Sequence, residues 1–136
     1  MRFSQRLIDE IVAHAREDAP NECCGLVGGV DGVAEVVHRV ENAAASPLRF
    51  EMDSQAQYNA WKAIEDAGKE LLAIYHSHTK SAAYPSQTDV NQAVAWPDPV
   101  WVIVSLQDPD APDVKGYWLR ERKIADAEIL IEETSR

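Results

Sequence analysis

The sequence predicts an α/β fold, a mixed β-sheet flanked by helices, and three observations carry that expectation. Helix-like and strand-like segments follow one another in the order α-β-β-α-β-α-β-β, which suits a sheet with helices packed against it. Two apolar runs, residues 23–30 and 33–40, are joined by Asp31-Gly32, a strong short-range hairpin signal. The stretch PVWVIVSL, residues 99–106, is dominated by β-branched and aromatic side chains, the composition of a buried strand.

The elements are justified in turn. Ser4 can cap a first helix whose Leu7, Ile8, Ile11, Val12 and Ala15 recur on one face, and Pro20 follows its end. The hairpin 23–40 comes next. NAAASPL, residues 42–48, is a loop, and RFEM, residues 49–52, reads as a short strand. Asp53 or Ser54 caps a second helix with Tyr58, Trp61 and Ile64 on one face, and Gly68 stops it. LLAIYHSH, residues 71–78, is a compact apolar strand, and the loop 79–85 leads to a short helix from about Ser86 to Ala95, halted before Pro97. VKGYWLR, residues 114–120, is expected to pair antiparallel with 99–106 after the DPDAPD turn. AEILIEE, residues 127–133, is ambiguous between strand and helix.

Bulk properties bound the function. A chain of 136 residues reads as one domain over 1–136 and can bury a core without disulfide or metal support. Thirteen basic against 23 acidic residues give a net charge of −10. Such a surface repels phosphate backbones, so nucleic acid is an unsuitable partner. The first 18 residues are amphipathic with four acidic side chains, unlike a signal peptide, and no run has the length of a membrane span. The cysteines are the adjacent Cys23 and Cys24, expected to be buried on opposite faces of a strand. The expected setting is cytoplasmic and reducing, with no membrane. A homodimer is compatible with the sequence.

The chemistry concentrates in YHSHTKSAAYPSQTD, residues 75–89. His76 and His78 stand two apart at a strand end, so both imidazoles leave one face. Asp89 lies eleven residues beyond His78, and a loop of that length can return its carboxylate to them. Two nitrogens and one oxygen leave a tetrahedral zinc one open position. Against this, HxH also occurs as a pair of surface polar residues, and Ser86-x-x-Asp89 has the spacing of a capping box that needs no metal. A hydrolase would also need a proton acceptor. Glu22, before the apolar strand, is a candidate, with a solvated residue at the strand start as the alternative. His14 and His38 are set aside as non-ligands, and Trp96, Trp101 and Trp118 as packing residues.

Taken together, Glu22, His76-x-His78 and Pro85-Ser86-x-x-Asp89 resemble the JAMM motif of the MPN-domain (Mov34/JAB) metallopeptidases. PNECCGLVGG, residues 20–29, resembles that family's Pro-x-Glu-x-Cys-Gly segment, with Cys24 at its structural cysteine. The resemblance implies a JAB1/MPN fold, similar to cytidine deaminases, with zinc held by His76, His78 and Asp89. It implies Glu22 as the base and Ser86 as the donor to the oxyanion. Thr79 departs from the proline common after the second histidine. HSHT with its Tyr-Pro-Ser turn is most similar to bacterial sulfur-carrier-protein–cysteine peptidases, which remove cysteine from the Gly-Gly terminus of a small ubiquitin-like carrier during cysteine biosynthesis. Phe50 and Tyr84 are candidate walls for that tail. The alternatives are an isopeptidase acting at lysine and a non-catalytic MPN scaffold. A nucleobase deaminase is excluded by the absence of HxE and PCxxC.

Overall fold

A computed structural model describes residues 1–133 of the chain. In order, the elements are β1 (Arg2–Ser4), α1 (Gln5–Asp18), β2 (Cys24–Val30), β3 (Val33–Val40), α2 (Ser54–Asp66), β4 (Glu70–His78), α3 (Gln87–Gln92) with a 3-10 turn Ala93–Ala95, β5 (Val100–Ser105), β6 (Asp113–Arg120), β7 (Lys123–Ala127) and β8 (Leu130–Glu132). The eight strands form one sheet in the order β7-β6-β5-β4-β2-β3-β1-β8. β7 and β8 lie at opposite edges, yet Glu128 and Ile129 alone separate them in sequence. The sheet is therefore curled until its edges approach.

Each strand of the centre feeds two cores, because successive side chains point to opposite faces. On the α1 side, Leu7, Ile8 and Ile11 pack against Val27, Tyr75, Val102 and Val104. On the α2 side, Ile64 packs with Leu26, Ile74, Trp101 and Ile103. β4 and β5 run parallel through the middle, and every residue of β5 is buried, as a strand covered on both faces requires. The caps follow local chemistry. Ser4 accepts from the Leu7 amide at 3.2 Å, and Asp53 from that of Ala56 at 2.9 Å, each satisfying an otherwise unpaired helix donor.

Several expectations need correction. Residues 49–52 form no strand; a single antiparallel bridge, Asn42 to Met52, stands in their place. Phe50 turns inward and is buried, while the side chain of Asn42 binds the flanking backbone at Arg49 and Glu51. On α2, Ile64 and Ala60 face the core, whereas Tyr58 and Trp61 are exposed at 54% and 36%. The buried stripe is narrower than three large apolar side chains imply. Residues 127–133 resolve as strand: Ala127 closes β7 and Leu130–Glu132 form β8.

β1 and β7 go beyond what the sequence predicts. β1 has three residues, too few for a period to show. The turn into β7 is Glu121-Arg122, both at positive φ (53° and 61°), where Asn or Gly would ordinarily mark it. The first hairpin does carry that mark: Asp31 and Gly32 sit at 52° and 76°.

Candidate metal centre

The site is built on β4. Its pairing sets His76 opposite Cys24 of β2 and Ile103 of β5, and His78 opposite Ser105. The histidines share a face because they stand two apart. Asp89 arrives from the first turn of α3. Ser86 caps that helix: its Oγ accepts from the Asp89 amide at 3.1 Å, and its own amide donates to Asp89 Oδ2 at 2.9 Å. The capping box is thus realised, and it does not compete with a metal-ligand role, since the cap aims the carboxylate at the histidines.

Asp89 Oδ2 lies 3.1 Å from Nε2 of His76 and 3.1 Å from Nε2 of His78, and the two nitrogens are 3.1 Å apart. These three buried groups are, among the described residues, a set able to hold a metal ion. The triangle fits a cation. Zinc bound at about 2.0–2.2 Å with tetrahedral angles sets its ligand atoms about 3.3–3.5 Å apart, close to the edges seen here. The donor chemistry agrees. His78 Nδ1 lies 2.9 Å from the Ala82 carbonyl, which accepts only, so the proton sits on Nδ1 and the Nε2 lone pair faces inward. His76 Nδ1 is buried without a hydrogen-bond partner, so Nε2 is the ring atom through which His76 meets the other two groups.

The electrostatics match this arrangement. Burial works against charging both groups, but it is outweighed. The charge of His76 and the hydrogen bonds of both histidines, with the Ser86 amide, hold the Asp89 carboxyl far below its usual range. For His78, burial lowers the pKa, yet the Asp89 hydrogen bond, the Ala82 carbonyl and the charges of Asp89 and Glu22 leave it raised. Phe50 stacks on His76 with ring centroids 4.7 Å apart, and Trp101 meets the same ring edge-on at 6.2 Å. These apolar walls limit water around the ligands.

Glu22 is 4% exposed and its Oε1 has no hydrogen-bond partner. The solvated alternative is therefore overturned. Burial raises its pKa to about 7; His78 pulls it down and the Asp89 charge pushes it up, which places the carboxyl within electrostatic range of the cluster. A carboxylate poised near neutrality is suited to moving protons. Ser86 is exposed, and its Oγ accepts one hydrogen bond while its own proton remains free to donate.

Other sequence readings resolve simply. Cys23 packs in the α1-side core and Cys24 in the α2-side core; burial pushes the Cys23 thiol up to about 12 and raises Cys24 further. Both are unreactive at neutral pH. His14 is buried, held between Tyr75 Oη at 2.7 Å and Asp18 at 3.2 Å. Tyr84 is exposed and stands edge-on to Tyr117. Thr79 Oγ1 donates to the Pro20 carbonyl at 3.2 Å, so the departing position ties the Glu22 segment to the end of β4. Ser77 is a residue that sequence reasoning misses. It is fully buried, and its Oγ accepts from the Cys23 amide at 2.8 Å. The available signal is a hydroxyl between two histidines in an apolar strand.

A family model described as prokaryotic homologs of the JAB domain matches residues 4–120. The chain belongs to this JAB family. It is 37% identical over 129 residues to a CysO-cysteine peptidase of Mycobacterium tuberculosis, covering 93% of this chain and 88% of that one. Against a desampylase of Haloferax volcanii it is 39% identical over 117 residues, 81% of each chain. The solution structure of a Desulfitobacterium hafniense protein superposes with a TM-score of 0.88 at 34% identity, covering 98% and 94% of the two chains. A JAB1/MPN domain protein from Archaeoglobus fulgidus shares the fold, with a TM-score of 0.64 at 21% identity over 98% and 100% of the chains. The JAB fold expected from the sequence is the fold observed.

Proposed function

We propose that this JAB-family chain acts as one zinc peptidase domain over residues 1–136. It hydrolyses the amide bond after the C-terminal Gly-Gly of a ubiquitin-like sulfur carrier and releases cysteine, in a cytoplasmic setting. The observation that carries this reading is the triangle of His76, His78 and Asp89 donors at 3.1 Å beside a buried, unpartnered Glu22. The 37% identity to a CysO-cysteine peptidase over 93% of the chain supports the leaving group. For location, no described helix is long and apolar enough to cross a membrane.

His76, His78 and Asp89 would hold the ion. Zinc bound there supplies a lowered pKa for water and polarisation of the scissile carbonyl. Glu22 accepts the proton of the attacking water and delivers it to the departing nitrogen, so glycine leaves as a carboxylate and cysteine as a free amine. Ser86 donates its hydroxyl proton to the carbonyl oxygen as charge develops there. Phe50 and Trp101 keep bulk water from the ligands, which strengthens each of these interactions.

Mass spectrometry tests this directly. A Gly-Gly carrier bearing one extra C-terminal cysteine is incubated with zinc-loaded protein and with Glu22→Ala. The parent should remove one cysteine and the variant none. An intact carrier with zinc bound would reject cysteine release, and lysine-linked carrier conjugates are then the substrate to assay.

A further inference from the structure

Asn42 stands just past the end of β3 and is half-buried. Its amide is saturated. Nδ2 donates to the Glu22 carbonyl at 2.9 Å and to that of Arg49 at 3.2 Å, while Oδ1 accepts from the amides of Ala44 at 3.0 Å and Glu51 at 2.9 Å. The partners dictate the residue: two carbonyls need donors and two N–H groups need an acceptor. A single planar carboxamide supplies both, whereas an ionised Asp supplies acceptors alone.

These four bonds reach both halves of the site. Arg49 and Glu51 bracket Phe50, the ring stacked on His76. The Phe50 carbonyl accepts from Gln92 Nε2 at 2.6 Å, and Gln92 closes α3, the helix that carries Asp89. Glu22 is held again by the same loop, through its amide to the Ser46 carbonyl at 2.9 Å. The segments bearing the base and the ligand-stacking ring therefore converge on one side chain.

We propose that Asn42 is a positioning residue for the hydrolysis, holding the Glu22 segment and the Phe50 loop in one frame against His76. The proposal rests on the reading of Glu22 as proton acceptor. Asn42 touches neither substrate nor metal; it acts through the backbone of residues that do. A shift of about 1 Å in a group that must meet the reacting atoms can cost on the order of a hundredfold in rate.

The discriminating variant is Asn42→Asp, which keeps the Oδ1 acceptor for Ala44 and Glu51 and removes both donors. Expected is a kcat lower by about ten- to hundredfold with KM for the carrier and zinc content unchanged. In the metal-free protein, NMR cross-peaks between the Phe50 and His76 rings should weaken while unfolding stays cooperative and the protein remains folded at the assay temperature. Parental kcat with intact cross-peaks would overturn the proposal, as would a kcat loss that merely follows the folded fraction or zinc content. Should Asn42→Asp not fold, Asn42→Ser, which retains one donor, replaces it; failure of both to fold assigns Asn42 to folding alone and also overturns the idea. If the parent itself leaves the carrier intact, the peptidase reading fails separately, and the cross-peaks still test the frame.

Discussion

Glu22→Gln should make the metal-free protein more stable than the parent above neutral pH, by an amount that depends on pH in a calculable way. In the fold, burial raises the Glu22 pKa from 4.5 to about 7; in the unfolded chain it returns to its ordinary value. Between those values the folded state holds a proton that the unfolded state has lost. Parent stability therefore falls as pH rises through this window. Each pH unit between the two values costs the parent about 1.36 kcal/mol, so the full loss is on the order of 3 kcal/mol. The amide cannot titrate and keeps the shape. Urea unfolding of both proteins in EDTA, from pH 4 to pH 8, reads the difference, and titrating groups remote from Glu22 cancel in the comparison. The gap should widen by about 3 kcal/mol across the range in favour of the variant. Parallel curves would refute the claim that a buried, unpaired carboxyl occupies this position. A carboxyl with such a pKa can take and return a proton near pH 7, which is what the proposed base role requires.

Further outcomes follow from the same geometry. In the zinc-loaded parent, kcat/KM should rise with pH as Glu22 ionises and level off at or below about 7, because a nearby cation lowers the pKa that burial raised; a profile that falls through that range would contradict the base role. Ser86→Ala should lower kcat by about 10²–10³-fold through loss of one oxyanion donor, and lower stability by about 0.5–2 kcal/mol through loss of the α3 cap, read by steady-state kinetics and calorimetry. His78→Ala should abolish stoichiometric zinc binding, measured by metal analysis after dialysis, while Cys23→Ala leaves it unchanged. Gly25→Ala should destabilise by about 1–3 kcal/mol, since an added Cβ overlaps the Tyr75 ring; an unaltered denaturation midpoint would contradict that close approach.

Some of this molecule is written in short-range chemistry. His76 and His78 share a face because strand side chains alternate, whatever surrounds them. Ser86 and Asp89 form a capping box because their spacing matches one helical turn, and Asp31-Gly32 closes its hairpin because those residues tolerate positive φ. Cys23 and Cys24 enter opposite cores by the same alternation. Each of these depends on a few neighbouring residues, so each could be read from the sequence. The motif spacing also led correctly to the JAB family, although it left the burial of Glu22 open.

Tertiary structure decided the rest. Glu22 stands before β2 as a solvated residue would, yet burial raises its pKa. The loop after β3 and the end of β4 hold its segment through hydrogen bonds to the backbone. Phe50 belongs to an extended-looking tetrapeptide, yet Asn42 takes the flanking hydrogen bonds and the ring packs on His76. Tyr58 and Trp61 follow a helical period but stay exposed, because the width of the buried stripe depends on what packs against α2. β7 is a strand because β6 offers a partner edge, despite a turn without Asn or Gly. Local periodicity depends on covalent geometry and is carried by the chain itself. Burial, pKa and the convergence of His76, His78 and Asp89 at 3.1 Å depend on residues far apart in sequence, and only the packed fold brings those together.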